Sequence, residues 1–200
     1  MCFQGLLVGF LALTLGGCSA TNASERSGAS NPYVTQNAGG ANSSAGGIVL
    51  AAGGTIDLAQ LDDLLVAELQ AFRTTQGLAT LSRNPLLDEA AQTLADVMAR
   101  KDELSHRADG QRAGDRIEDT GYVLCTNGAP WAENIARSSQ FGSTADVADI
   151  MMTGWINSPG HRRNMVGAFA EVGLAVAETS DRSRVYAAQV FATPGPGSCL

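Results

Sequence analysis

The chain contains two histidines, His106 and His161, so any imidazole chemistry it performs must use one or both. They stand in "ELSHRADG" and "NSPGHRRN", polar stretches that follow predicted helices. Ends of elements are where side chains from distant parts of a chain can converge. Three acids sit in unusual settings. Glu133 lies in "PWAENIA" beside Trp131, an apolar neighbourhood where a carboxylate needs a partner. Glu171 opens a predicted strand in "FAEVG", and Asp115 precedes Arg116 in "AGDRI". Two neutral imidazoles and one or two carboxylates can ligate a divalent cation such as Zn²⁺, each supplying a lone pair. Without a metal the same groups can act as general acid and base, a carboxylate orienting each ring through its second nitrogen. The separation of His106 from His161 is far longer than in a local metal motif such as HExxH, and histidines at loop positions also serve simply as structural hydrogen-bonders. The residues alone leave these readings open.

Competing chemistries are poorly supplied. The chain has no GxSxG nucleophile elbow and no glycine-rich phosphate loop followed by Lys. Its paired glycines, Gly39-Gly40 and Gly46-Gly47, fall in a Ser/Asn-rich linker. Thirteen basic against twenty acidic residues give a net charge of −7, which argues against a nucleic-acid partner, since phosphate binding wants a basic face.

The elements that must hold these residues can be read from periodicity. Leu58, Leu61, Leu65, Leu69 and Phe72 recur at helical spacing, with Thr55 or Asp57 as cap and an end before Gly77. A second helix starts at Asn84-Pro85, carries Leu87, Ala91, Leu94, Ala95 and Met98 inward, and ends just before Ser105-His106. A third runs from about Ser143 through Val147, Ile150, Met151 and Trp155 and breaks at Ser158-Pro159-Gly160, because proline disfavours helix at the residue before it. Val172, Leu174 and Val176 then alternate, "TSDRS" turns the chain, and Val185 through Phe191 runs extended, a β-hairpin pattern. A further strand is expected between Tyr122 and Ala136. Helices first and strands last give an α+β fold, helices packed on an antiparallel sheet.

Two hundred residues, 44% hydrophobic, suit one well-buried core. Residues 1–17 form an apolar run that fits the h-region of a signal peptide, although no Lys or Arg precedes it. The run ends at Leu15-Gly16-Gly17-Cys18, which resembles the lipobox of bacterial lipoproteins and implies lipidation of Cys18 and a membrane anchor. Residues 18–54, rich in Ser, Gly, Ala and Asn, read as a tether reaching on the order of 30 Å. The domain is expected to occupy residues 55–200. With Cys2 removed and Cys18 acylated, Cys125 and Cys199 remain as an even pair in an exported chain, so a Cys125–Cys199 disulfide is expected. In the chain-entropy model it would stabilise by roughly 4 kcal/mol.

"LSRNPLLDEAAQTLADVMARKDELSHRADGQRAGDRIEDTGY", then "WAENIA", "WINSPGHRRNM" and "AEVGLAVA", resemble in their order bacterial members of the CAP superfamily, the SCP or PR-1-like domain. The resemblance spans about Leu58 to Ala192. It implies an α-β-α sandwich, a central antiparallel sheet flanked by helices, with a large cleft holding two histidines and two acids. Carried over, His106 and His161 match the histidines and Glu133 matches the acid of a G-E-N motif in which Ala132 replaces the glycine. Glu171 matches the bacterial "TEIG" acid, with Asp115 as an outside candidate. The resemblance does not assign one function; the residues and the apolar leader lead us to expect a non-catalytic, exported, lipid-anchored binding module, in the cell membrane or outer membrane. Its cleft is expected to bind Zn²⁺ or another divalent cation through His106, Glu133, His161 and Glu171, or a small ligand, lipid or envelope component. The alternative is a hydrolase of peptide or cell-wall substrates, with Glu133 or a metal activating water and the histidines stabilising charge.

Overall fold

Leu61, Leu65, Leu69 and Phe72 fall on one side of helix α1 (Leu58–Thr75) and are all buried. Asp57, rather than Thr55, caps it, its carboxylate accepting from the Gln60 N–H at 3.0 Å. This computed structural model describes residues 55–125, 130–140 and 142–195. The segments assigned from sequence to a signal peptide (1–17) and a tether (18–54), with Cys18, and also Cys199, lie outside the described residues.

A two-residue strand β1 (Ser82–Arg83) precedes helix α2 (Pro85–Lys101), which begins as expected, with Asn84 as cap and Pro85 in the first turn. It stops at Lys101 with Asp102 in the left-handed region (φ 53°), earlier than the expected end beside Ser105, so His106 rides on an irregular segment. A helix that periodicity did not signal, α3 (Ala113–Asp119), follows. Strand β2 (Trp131–Ser139) is the strand expected upstream of Ala136, although it runs three residues further. Helix α4 (Thr144–Asn157) is capped by Ser143 and buries Val147, Met151 and Trp155, but Ile150 is 55% exposed and does not belong to its inward stripe. The hairpin is β3 (Glu171–Glu178) with β4 (Arg184–Ala192).

The strands lie in the order β1-β3-β4-β2, antiparallel throughout except that β1 pairs in parallel with β3. Helices α2 and α3 cover one face; α1 and α4 contact β3 and β2 and pack on each other, closing the other. This is the expected α-β-α sandwich. The first face joins Leu87, Leu94 and Met98 of α2 to Ile135, Ala175, Tyr186 and Val190 of the sheet. Helix α2 sits there because β3 offers no side chain at Gly173, where a Cβ would stand 2.1 Å from the Leu87 carbonyl carbon. Strand β2 lies at the edge of the sheet. The Asn164 amide and the Trp155 indole donate to the carbonyls of Glu133 and Ile135 at 3.3 and 3.0 Å, covering groups that would otherwise invite another strand.

Candidate functional site

Successive β2 residues point to opposite faces, so Glu133 faces α2 and α3 while Asn134 faces the other layer. Glu133 is 6% exposed and meets a different partner at each of its two oxygens. Its Oε1 lies 2.8 Å from His106 Nδ1, and its Oε2 accepts from Arg116 Nη2 at 2.6 Å. The same guanidinium donates from Nη1 to both oxygens of Asp109, at 2.8 and 3.0 Å, and from Nη2 to the His106 carbonyl at 3.2 Å. The result is a chain, Asp109–Arg116–Glu133–His106, whose middle members have side chains only 1% and 2% exposed. Its last member opens to solvent, the His106 side chain being 52% exposed.

A carboxylate next to a guanidinium accepts, so His106 carries its proton on Nδ1, and its Nε2 is the nitrogen left for the surroundings. The residue that fixes this arrangement is Arg116, which sequence reasoning passed over in favour of its neighbour. A signal was present: Ala113, Arg116 and Ile117 fall on one side of α3 and all are buried, and an arginine on an apolar stripe requires a buried anion. Asp115 instead accepts from the Arg112 backbone N–H and pairs with the Arg112 side chain at 2.7 Å. It is a helix-start residue, not a member of the site.

The other two expected members stand on other elements and share no hydrogen bond with Glu133 among the described residues. His161 does not follow the end of a helix. Ser158 is extended and Pro159 opens a second helix, α5 (Pro159–Met165), so His161 sits in its first turn. Proline ends one helix and suits the first position of the next. His161 lines a hollow along the edge of β2 with Ile135, Gly154 and Trp155. Its imidazole is held below the ordinary histidine range, first by burial and then by the positive charge of His106. Glu171 opens β3 and accepts from the Tyr122 hydroxyl at 2.7 Å and the Asn84 amide at 2.9 Å. It is two strands away from Glu133 in the sheet register, with Ala192 paired to Glu171 and Val190 paired to Glu133.

The donor set assigned from sequence to a divalent cation therefore does not fit one. Both Glu133 oxygens are held, one by a guanidinium, and Glu171 is engaged elsewhere. Two imidazoles fall short of the three or four ligands a protein gives Zn²⁺. Among the described residues no three His, Cys, Asp or Glu side chains gather as a metal site.

Beside His106 the surface opens into two adjoining hollows of about 430 and 480 Å³ that share Trp131, Ala132 and Asn164. The first is bounded by His106, Arg107 and Arg112, the second by Arg163 and Phe169. The Trp131 indole is seated against α3 where the chain has Gly114; a Cβ there would stand 2.7 Å from its ring nitrogen. On the opposite face of the sheet, Asn134 donates to Gln189 Oε1 at 3.1 Å and to the His161 carbonyl at 3.2 Å, and accepts from Asn164 Nδ2 at 2.9 Å. Asn164 thus joins the cleft wall to the buried amides.

Over residues 66–191 the sequence matches the CAP family, described as the cysteine-rich secretory protein family. No curated protein sequence matches it significantly. Among solved structures, an outer surface protein from Borrelia burgdorferi is similar, with 18% identity, a TM-score of 0.54, and coverage of 72% of this chain and 99% of that one. An extracellular SCP-domain protein from Bacillus anthracis is similar at 22% identity and a TM-score of 0.56, over 68% of this chain. This chain spans only 41% of that protein's length. At these identities the likeness concerns the fold. Among the described residues no helix is long and apolar enough to cross a membrane.

Proposed function

The chain belongs to the CAP family of cysteine-rich secretory proteins, and from that premise we propose that it is an exported binding module, held to a membrane through lipidated Cys18, whose cleft beside His106 takes up a small ligand without covalent chemistry. The observation that carries this reading is the state of Glu133: both its oxygens are engaged, by Arg116 at 2.6 Å and by His106 at 2.8 Å. A general base needs an oxygen facing water within hydrogen-bond reach; the Glu133 side chain is only 2% exposed and is pinned by a guanidinium, which weighs against hydrolysis assisted by this carboxylate. What the cleft presents is the His106 Nε2 edge, the Trp131 ring and guanidinium groups, a set that recognises rather than attacks. The exported location is supported by the apolar N-terminal run and the lipobox-like Cys18. A Cys125–Cys199 disulfide belongs to the same reading, and Cys125 is buried at 3% exposure.

Native mass spectrometry of the protein recovered from its own host tests the proposal. The expected spectrum shows a mature chain starting at acylated Cys18, two hydrogens short for the disulfide, carrying a bound organic species that is lost in a Trp131→Ala variant. A chain that arrives bare, or turnover of peptide or peptidoglycan that Glu133→Gln abolishes, would overturn it.

A further inference from the structure

We propose that the ligand of this cleft is an organic anion, a carboxylate or phosphate with an apolar portion. The inference rests on the cleft being a binding site and specifies what it binds. In a chain of net charge −7, the side chains around the two joined hollows are cationic or neutral with one exception. Their cationic members are Arg107, Arg112 and Arg163, and His106 adds a protonatable ring. The sole acid among the described lining residues is Glu133, already neutralised from behind by Arg116.

The cations differ in how free they are. Arg112 is committed to Asp115 through two side-chain hydrogen bonds. Arg107 and Arg163 are exposed, and among the described residues neither side chain has a hydrogen bond or ion pair. The paired cations elsewhere make the contrast: Arg83, Arg116, Arg182 and Arg184 each hold a carboxylate. Two guanidinium groups with no hydrogen-bonded carboxylate among the described residues line the joined hollows along with His106, which favours a negatively charged ligand. Because Trp131, a partly buried ring, forms the wall shared by both hollows, and Phe169 stands at the far end, the remainder of that ligand is apolar. Gly114 adds a second, independent element. Its missing side chain lets the indole recess against α3, which keeps the space over the ring open.

The test uses octyl phosphate, octanol and inorganic phosphate, followed by calorimetry and by intrinsic fluorescence. The chain has two tryptophans and Trp155 is 1% exposed, so a ligand-induced emission change reports Trp131. Octyl phosphate is expected to bind. An Arg107→Ala/Arg163→Ala double variant, which removes no hydrogen bond or ion pair among the described residues, should lose at least about tenfold in its affinity, the cost of losing charge-assisted hydrogen bonds. Octanol should bind weakly and equally to both proteins, and inorganic phosphate alone should not saturate the site. Gly114→Ala should weaken octyl phosphate and octanol together by crowding Trp131 into the cleft. Equal affinity for octyl phosphate and octanol, or an unchanged double variant, would overturn the anion. Inorganic phosphate binding as tightly as octyl phosphate would overturn the apolar half. If none of the three probes binds or perturbs Trp131, the failure lies with the cleft as a binding site.

Discussion

Glu133 and Asn134 are adjacent on β2, both buried, and solve the same problem in opposite ways. Glu133 faces the α2/α3 layer and enters an ionic chain that runs from Asp109 through Arg116 to the exposed His106. Asn134, 0% exposed, faces the other layer and enters a neutral ladder of amides with Gln189 and Asn164. The ionic side ends at the cleft and offers a protonatable group to it. The amide side ends at Gln189, whose Nε2, like Arg116 Nε on the ionic side, is buried without a partner among the described residues, and at the backbone of α5 through the His161 carbonyl. The difference teaches a division of labour. Charge is carried where the strand meets solvent and a ligand can use it, while neutral amides fix the register of β2 against β4 and the position of α5, where a charge would be costly.

The comparison is most exposed to Arg116→Met. Removing the guanidinium leaves Glu133 and Asp109 as buried carboxylates without their common partner, and a broken buried ion pair costs about 3–5 kcal/mol. Urea denaturation should show that loss, and adding Glu133→Gln in the same chain should recover part of it. A loss no larger than that of an amide deletion would mean that the ionic chain is not the more demanding side.

Asn134→Ala comes next. It strips the donor from Gln189 Oε1 and the acceptor from Asn164 Nδ2, and unsatisfied buried neutral groups cost about 1–3 kcal/mol. The same denaturation series measures it. A further readout separates the two faces: Asn134→Ala should loosen the α5 segment in hydrogen exchange while leaving the His106–Glu133 contact intact, whereas Arg116→Met should do the reverse.

The smallest effect concerns the link between faces, the charge of His106 felt by His161. The His161 ring should titrate below 6.5 by NMR, and His106→Gln should raise its pKa, because one of the two depressing causes is gone. The unfolded chain binds a proton at the ordinary value near 6.5 that the folded chain still refuses. Stability from His161 is therefore unaffected above that pH and falls as pH drops from there through the depressed folded pKa. An unshifted His161 in the His106→Gln variant would show that burial alone sets it.

Much of the frame was legible in the sequence. The stripes of α1 and α2, the Asn84-Pro85 start and the alternation of the hairpin were readable because each rests on spacings within a few residues. His106 and Glu133 could be named together from their motifs, and they meet at 2.8 Å. The misses share a cause. Ser158-Pro159 was read as a stop, yet the same proline starts α5, and local chemistry allows both. Ile150 matched the helical period but sits on the outward side of α4, since period alone does not say how wide the buried stripe is. Arg116 was overlooked because its worth depends on an anion 17 positions away.

The sequence by itself therefore determined the longer elements, the family and, in His106 and Glu133, two of the side chains that meet at the site. Only the tertiary structure decided their partners. Glu171 looked equivalent to Glu133 as a strand-borne acid, but the pairing of β3 and β2 on either side of β4 sets it beside Tyr122 and Asn84 instead. Asp115 and Arg116 are consecutive, yet one faces solvent with Arg112 and the other is buried against Glu133. The physical reason is range. Helix caps and apolar stripes are settled by contacts within a turn or two, whereas the environment of a charge is set by whichever distant residues the strand register and helix packing bring within hydrogen-bonding distance.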